Sequence, residues 1–467
     1  MSETPVIQRA TRIVPLVVAC PLFMVNLDSS ILLTAIPTMA KSLGVDAVSL
    51  TPLISAYLIA LAVSMPVSGW FSDRLGSRQV FIGAVVIFTL GSLLCAFAPT
   101  LPLLIAARVV QGLGGGLMTP VARIVLLKAV PKSELVSAMA WYTTPALLGP
   151  VIGPSLGGVI VEHLSWSFVF LVNIPFGLLT LFASLAILKR DEEKTSRPFD
   201  VTGFLLLSTG LVVALLSFDG INAGDSRALL ALLGIGIGLS LVFAYTCHAV
   251  RTGKPLIGLS VLGDKIYAST LWGGSVFRLG TAALPFLLSI VLQGERHLTP
   301  SNVGFLLSCM AFGAMSAKPV APVIIRRLGY RTLLVGNAAV SSLIMAWLAL
   351  ASASSPVWLI GLVLTVSGLS RSVQFTALNS LAYYSVPNSE VASASTLQSI
   401  AQQVSIGFGV VLANLFVGGL GAAGMPTEQH AVAYALVAIG LVCATSIGPF
   451  CGLDKDAGQA ALGERSS

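Results

Sequence analysis

The chain has 467 residues, of which 55% are hydrophobic and only 10% are charged, and its mean hydropathy is +0.92. Soluble domains usually carry about 25% charged residues, so this composition excludes an ordinary soluble enzyme and indicates a membrane protein. The net charge of +7 does not indicate nucleic-acid binding, because most basic residues lie in short loops between apolar segments.

The sequence divides into about fourteen apolar segments, each near the roughly 20 residues that a helix needs to cross a bilayer. The predicted spans are 13–36, 49–71, 79–98, 101–127, 136–161, 166–188, 201–218, 228–250, 268–292, 301–325, 331–351, 356–384, 393–420 and 431–452. Most of the 26 lysines and arginines fall in loops on the side of the amino terminus, which predicts that both termini are cytoplasmic. The six cysteines lack paired spacing, so neither a disulfide framework nor a metal site is expected.

Two stretches recur at nearly one spacing. The pentapeptide 74-RLGSR-78 returns as 327-RLGYR-331, and 130-VPKSELVSAMA-140 returns as 386-VPNSEVASAST-396. Because both copies of each stretch lie in cytoplasmic loops, the halves are predicted to share orientation, as parallel repeats do. The predicted domains are an amino-terminal six-helix bundle (1–188), a linker with two inserted helices (189–265), a carboxy-terminal six-helix bundle (266–452) and a tail (453–467).

Three motifs carry a family resemblance. The loop after span two has the pattern G-x-x-x-D-R-x-G-x-[KR] through Gly69, Asp73, Arg74, Gly76 and Arg78. Span four has R-x-x-Q-G-x-G through Arg108, Gln111, Gly112 and Gly114. Span five has G-x-x-x-G-P-x-x-G-G through Gly149, Gly153, Pro154, Gly157 and Gly158. The sequence therefore resembles the major facilitator superfamily, and within it the fourteen-span drug:proton antiporters.

Two stretches depart from the family pattern. Span one keeps Asp28 but has Leu33 where the family usually has asparagine, and the segment after span five keeps Asn173 but has Ser167 where arginine is frequent. These departures affect which substrate class is expected, and they leave the resemblance to the family unchanged.

The resemblance implies an all-α polytopic membrane protein with the major facilitator fold, formed by two six-helix bundles plus two inserted helices. It implies a proton-coupled antiporter of the multidrug-efflux type that exports small molecules across the bacterial cytoplasmic (inner) membrane by alternating access. The proton gradient would supply the energy, and no cofactor or metal is expected. The expected partners are the lipid bilayer, protons and a small-molecule substrate, without nucleic acid, and the chain is expected to act as a monomer.

The loop motif has two readings. Asp73 can accept charge-assisted hydrogen bonds from nearby arginines, or face a helix N-terminus when an inner gate is shut. Alternatively the loop is a solvated turn whose arginines only set the orientation. Arg326 stands at the repeat position of Asp73, and this asymmetry favours a latch.

The glycines of span five also have two readings. Gly149, Gly153 and Gly157 recur every four residues and so form one smooth ridge. Such a ridge can serve only to let neighbouring helices pack closely. Alternatively, it belongs to a helix that bends at nearby prolines while the two six-helix bundles rock against each other.

The charges inside spans are the candidates for the mechanism, because a charge at the bilayer centre costs roughly 2.5–3.5 kcal/mol. The six candidates are Asp28, Arg108, Arg123, Arg278, Lys318 and Arg371. Asp28 is the only acid within the predicted spans, and helix rise places Arg108 at a similar height. The two form either a structural ion pair or the proton-coupling pair.

The excess of cations leaves two substrate classes open. The predicted substrate contacts are Asp28, Gln111, Arg123, Arg278 and Arg371. The family resemblance implies broad drug export, whereas a net positive interior favours an organic anion such as a carboxylate or its metal chelate. Arg278 and Arg371 are the stronger candidates for a substrate site, while Arg123 and Lys318 can instead lock helices or snorkel.

Other function classes fit the sequence less well. An enzyme would need clustered nucleophiles, bases or metal ligands, and the sequence has no Walker loop and no GxSxG. A channel is disfavoured by the repeat and by the lack of a filter sequence. A non-transporting sensor with the same fold is a further alternative.

Overall fold

A computed structural model describes residues 4–45, 50–189, 198–220, 225–294, 296, 298, 300–351, 355–422, 428–454 and 457. All regular structure within these ranges is helical. Nine of the described helices are long and apolar enough to cross a membrane, or ten if the bent pair Pro52–Ser64 and Ser68–Leu75 forms one span. The chain is therefore an all-α polytopic membrane protein, as predicted.

The helices, in chain order, are α1 (Thr4–Leu43), α2 (Thr51–Ser64), α3 (Ser68–Leu75), α4 (Ser77–Ala96), α5 (Leu101–Ala129), α6 (Leu135–His163), α7 (Phe168–Leu171), α8 (Asn173–Ile187), α9 (Val201–Gly220), α10 (Asp225–Arg251), α11 (Lys265–Gly294), α12 (Pro300–Leu328), α13 (Tyr330–Ala351), α14 (Val357–Tyr384), α15 (Val391–Ala422), α16 (Glu428–Thr445) and α17 (Ile447–Cys451). Each predicted span overlaps at least one of these helices. The count of fourteen spans stays a prediction.

Three predicted spans are broken helices, and a proline accounts for each break. Pro175 and Pro449 lack the N–H that would bond to the carbonyl four residues earlier. Those carbonyls belong to the last residues of α7 and α16. Pro66 lies in the break between α2 and α3, where the chain bends by 51°.

The repeated stretches share two local features in both copies, a glycine with positive φ and a 3₁₀ turn. Gly76 links α3 to α4 with a φ of 95°, and Gly329 links α12 to α13 with a φ of 71°. Glycine occupies both positions because other residues rarely adopt positive φ. The second repeat forms a 3₁₀ turn in both copies, at Lys132–Glu134 and at Asn388–Glu390.

The chain folds into two compact units. The first comprises Met1–Pro131, Trp141–Val261 and Pro387–Ile400, and the second comprises Lys132–Ala140, Leu262–Val386 and Ala401–Ser467. Each has its own apolar core, around Phe170 in the first unit and around Phe277 in the second. The domain boundaries drawn from the sequence repeat are not tested by this division and stay a prediction.

The two inserted helices, α9 and α10, belong to the first unit. At one end they are joined by hydrogen bonds to Asp200. Its carboxylate accepts hydrogen bonds from the Gly203 N–H at 2.8 Å, from His248 Nε2 at 2.9 Å and from the Leu256 N–H at 3.1 Å. Burial disfavours the charged form of Asp200, but these hydrogen bonds outweigh it and hold its pKa below the usual value. Asp200 therefore caps α9 and ties α10 to the chain that follows it.

Candidate functional site

Asp28 lies at the centre of a buried polar cluster in the first unit. Arg108 Nη1 donates a hydrogen bond to Asp28 Oδ2 at 2.6 Å. Gln111 Nε2 and Asn173 Nδ2 donate to Oδ1 at 2.8 and 3.0 Å. The side chains of Asp28 and Arg108 are each only 1% exposed. Both carboxylate oxygens are thus met by donors, as a buried carboxylate requires.

Arg108 has partners besides Asp28. Its Nη1 also donates to Gln111 Oε1 at 2.6 Å, and its Nε donates to the Leu53 carbonyl at 3.3 Å. Its Cζ lies 4.3 Å from the centroid of the Tyr57 ring and 5.8 Å from that of Phe170. The guanidinium is therefore held by hydrogen bonds and by aromatic faces.

A second layer surrounds these side chains. Ser92 Oγ accepts hydrogen bonds from Gln111 Nε2 at 2.7 Å and from Asn173 Nδ2 at 3.3 Å. Cys95 Sγ donates to Gln111 Oε1 at 3.8 Å. Residues of α1, α2, α4, α5, α7 and α8 thus meet around one carboxylate, and all are buried.

The glycines that follow Arg108 allow this convergence. A Cβ on Gly112 would lie 2.6 Å from the Tyr57 carbonyl of α2, and one on Gly114 would lie 2.5 Å from the Phe88 nitrogen of α4. Real Cβ atoms essentially never come so close to a backbone atom. Glycine therefore lets α2 and α4 pack directly on α5, where Arg108 and Gln111 point to Asp28.

Two glycines of the α6 motif contact α1, one just before Asp28 and the other just after it. A Cβ on Gly149 would lie 2.7 Å from the Leu27 nitrogen, and one on Gly153 would overlap Ser30 Oγ. Ser30 Oγ donates to the Gly149 carbonyl at 3.0 Å. Gly157 is buried, whereas a Cβ on Gly158 would meet nothing within 4 Å. The first two glycines thus pack α6 on α1, and the side chain of Pro154 lies outside the described residues.

We expect Gly149→Ala to destabilise the protein by about 1–3 kcal/mol, because the added methyl group meets the α1 backbone, which cannot rotate aside. Gly158→Ala is the matched control, since it makes the same change on the same helix in open space. Thermal unfolding of the purified variants in detergent would measure both. An equal shift of melting temperature in the two variants would contradict this account of the ridge.

The loop motif surrounds the link between α3 and α4. A Cβ on Gly69 would lie 3.1 Å from Thr396 Oγ1. Both residues belong to the first unit. Arg74 Cζ lies 5.1 Å from the centroid of the Trp70 ring. Arg78 Nη2 donates to the Leu185 carbonyl at 3.0 Å. Asp73 is half-buried on α3, and its role as a latch stays a prediction.

Arg123 lies fifteen residues after Arg108 on α5, which corresponds to about 22 Å along the helix. Its Nη1 donates to Ser399 Oγ at 3.2 Å and to the Ser395 carbonyl at 3.4 Å. Ser395 Oγ in turn donates to the Pro120 carbonyl at 2.8 Å. In this structure Arg123 therefore binds the Pro387–Ile400 segment of the first unit. Its predicted contact with substrate stays a prediction.

Arg278 and Arg371 belong to the second unit. Their Cζ atoms lie 5.1 and 5.4 Å from the centroid of the same ring, that of Phe375. The structure thus brings together the two arginines that were the stronger candidates for a substrate site.

Sequence reasoning did not assign roles to Tyr57, Ser92, Cys95 and Asn173. Asn173 carried a signal, because it belongs to a stretch that resembles the family pattern. The other three are single residues inside apolar helices, and their proximity to Asp28 follows only from how the helices pack.

The comparisons with known proteins agree with this architecture. The sequence model of the Major Facilitator Superfamily matches residues 18–410 and 270–457. The chain belongs to the major facilitator superfamily. It is 37% identical over 419 residues to "Putative multidrug resistance protein MdtD" of Klebsiella pneumoniae subsp. pneumoniae, covering 89% of this chain and 86% of the relative. It is 35% identical over 422 residues to the protein of that name from Serratia proteamaculans, covering 90% and 88%.

Solved structures of the superfamily share the fold. The human organic anion transporter MFSD10 matches with a TM-score of 0.63 at 17% identity, covering 94% of this chain and 98% of that one. The proton:xylose symporter XylE matches with a TM-score of 0.65 at 14% identity, covering 97% and 98%. At these identities the likeness shows the fold alone. The family consists of transporters, and membership of it implies a small-molecule substrate.

Proposed function

We propose that this member of the major facilitator superfamily is a proton-coupled antiporter that exports small molecules by alternating access. The observation that carries the proposal is the ion pair between Asp28 and Arg108. Asp28 is the only acid within the predicted spans, and a proton-driven cycle needs a carboxylate whose affinity for protons changes with its surroundings.

The partners of Arg108 explain how the pair can open. When Asp28 takes up a proton, the guanidinium loses its counter-charge but keeps Gln111 Oε1, the Leu53 carbonyl and the face of Tyr57. The arginine therefore keeps hydrogen-bond partners in the apolar interior while the ion pair is open. When Asp28 releases the proton, the ion pair forms again.

The motif glycines and the loop residues fit a protein that changes conformation. We assign to Gly149 and Gly153 the packing of α6 on α1 beside Asp28, so that movement of either helix alters the surroundings of the carboxylate. Asp73, with Arg74 next to it on α3 and Arg78 in the first turn of α4, is assigned the role of a latch that biases which side is open.

The name of the relatives, which refers to multidrug resistance, suggests that the substrates are drugs of several kinds. An organic anion is the second candidate, because Arg278 and Arg371 bring two cations together in the second unit. Both classes are compatible with the same coupling cluster.

Everted membrane vesicles energised by respiration would test the proposal. Acridine orange would report the pH gradient while tetraphenylphosphonium, ethidium, phthalate and succinate are added in turn. We expect at least one compound to dissipate part of the gradient in vesicles that contain the protein and not in vector-only vesicles. Uptake of that compound should stop when nigericin collapses the pH gradient, and uptake that continues undiminished would contradict proton coupling.

A further inference from the structure

A short connector, residues 256–261, follows α10 and is fixed to the inserted helices. The Ile257 N–H donates to Tyr245 Oη at 2.9 Å, and Tyr245 Oη donates to the Ile257 carbonyl at 3.0 Å. The Leu256 N–H donates to Asp200, which also caps α9. Leu256 and Ile257 are buried. The beginning of the connector is therefore held by α10 and by the residue that caps α9.

The same connector contacts the Pro387–Ile400 segment, in which α15 begins. The Gly258 N–H donates to Ser393 Oγ at 3.1 Å, and Ser260 Oγ donates to Glu390 Oε1 at 2.7 Å. The second bond is charge-assisted, and such bonds are stronger than those between neutral groups. All of these residues belong to the first unit. The inserted helices are therefore joined to the start of α15 through the connector.

Two further helices of the first unit hold the turns of α15 that follow. Ser68 on α3 and Thr396 share a hydrogen bond of 3.0 Å between their hydroxyl groups. Arg123 on α5 donates to Ser399 Oγ and to the Ser395 carbonyl. The segment thus has polar contacts with α3, with α5 and with the connector.

The inserted helices also contact α3 itself. The ring of Phe199, which precedes Asp200, packs edge-on against Trp70 of α3 with centroids 5.0 Å apart, and it lies 5.6 Å from the ring of Phe204 on α9. Arg74 Cζ lies 5.1 Å from the centroid of the Trp70 ring. The insertion is therefore in contact both with the loop motif and with the segment that α3 binds.

The residues on each side of the segment belong to the other unit. Val386 before it and Ala401 after it are part of the second unit, so α15 begins in the first unit and continues in the second. Units that move relative to each other, as alternating access requires, must bend α15 or release the segment from its contacts. Bonds that break on release favour the conformation in which they are formed.

We propose that the two inserted helices control the conformational change of the transporter by holding the Pro387–Ile400 segment on the first unit. The bonds from Gly258 and Ser260 are formed in the conformation described here and break when the segment leaves. The insertion thereby stabilises this conformation. This inference rests on the proposed alternating-access cycle, and it gives a function to the helices that are added to the two six-helix bundles.

The test follows the conformations of the purified protein by single-molecule fluorescence in lipid nanodiscs. Dyes attached to unnatural amino acids at residues 79 and 332 report the distance between the units. Gln79 in the first unit and Thr332 in the second are suitable because they are exposed and occupy equivalent positions of the repeat. Neither substrate nor a proton gradient is needed, so a failure of proton coupling would not be mistaken for a failure of this proposal.

Ser260→Ala combined with Ser393→Ala removes the hydroxyl groups of both bonds. We expect the population of the second distance to rise about tenfold relative to the first, because these bonds are formed in only one conformation. Ser389→Ala is the matched control, since it makes the same change at an exposed position of the 3₁₀ turn that contains Glu390. An unchanged ratio in the double variant, or an equal rise in the control, would overturn the proposal.

A disulfide should have the opposite effect. A Cβ on Gly258 would lie 3.9 Å from the Ser393 Cβ, which is within the range that disulfides require. Gly258→Cys combined with Ser393→Cys should therefore cross-link on oxidation, as mass spectrometry of the linked peptides would verify. The second distance should then disappear until dithiothreitol restores it, whereas neither single cysteine variant should respond to the oxidant. A cross-linked protein that still reaches the second distance would mean that connector and segment move together, contrary to the proposal.

Discussion

Asp28→Asn alone is expected to lower the free energy of unfolding by about 3–5 kcal/mol, the usual cost of leaving a buried charge without its partner. The remaining Arg108 cannot become neutral, because guanidinium stays protonated in proteins. Its contacts with Gln111, Leu53 and Tyr57 remain in the variant, but none of them supplies a counter-charge.

The double variant Asp28→Asn, Arg108→Gln should recover most of this stability, because it removes both charges and keeps amides that can hydrogen-bond. Arg108→Gln alone should be milder than Asp28→Asn, since an orphaned carboxyl can take up a proton. Thermal and denaturant unfolding of the four proteins in one detergent gives the coupling energy directly. Additive effects of the two substitutions would contradict the ion pair.

Uphill transport is expected to disappear in Asp28→Asn while exchange of substrate across the membrane continues. A proton moving down one pH unit supplies about 1.4 kcal/mol, which sustains roughly a tenfold concentration ratio per proton. The wild-type protein in proteoliposomes should build up such a ratio under an imposed gradient. The variant should only equilibrate its substrate, because asparagine cannot carry a proton.

The control for this experiment is Glu162→Gln. Glu162 is an exposed acid at the end of α6, so its substitution should leave accumulation unchanged. Retained exchange in Asp28→Asn shows that the variant is folded. Accumulation by Asp28→Asn under the pH gradient would mean that another group carries the proton.

The sequence predicts the helices well, because twenty-residue apolar segments have few alternatives in a membrane. It also predicts that Asp28 and Arg108 lie at one height, since helix rise is constant. The breaks at Val172 and Ser446 depend on single prolines inside apolar runs, and periodicity does not distinguish a proline that breaks a helix from one, such as Pro120 or Pro285, that stays inside it.

The detail of the site could not be predicted in the same way. Height along a helix does not fix rotation about its axis, and the neighbours of Asp28 depend on rotation. Ser92 and Tyr57 contact the cluster because Gly112 and Gly114 bring α2 and α4 against α5. The sharing of Phe375 by Arg278 and Arg371 likewise follows from the packing of α11 on α14.

The central claim is that Asp28 itself gains and loses the transported proton. Infrared difference spectroscopy of the protein in lipid tests it most directly, with a compound that dissipates the gradient in the vesicle assay added at constant pH. We predict a change in the C=O stretch of a protonated carboxyl group that is present in the wild type and in Glu162→Gln but absent from Asp28→Asn. The same carboxyl band in Asp28→Asn would contradict the account.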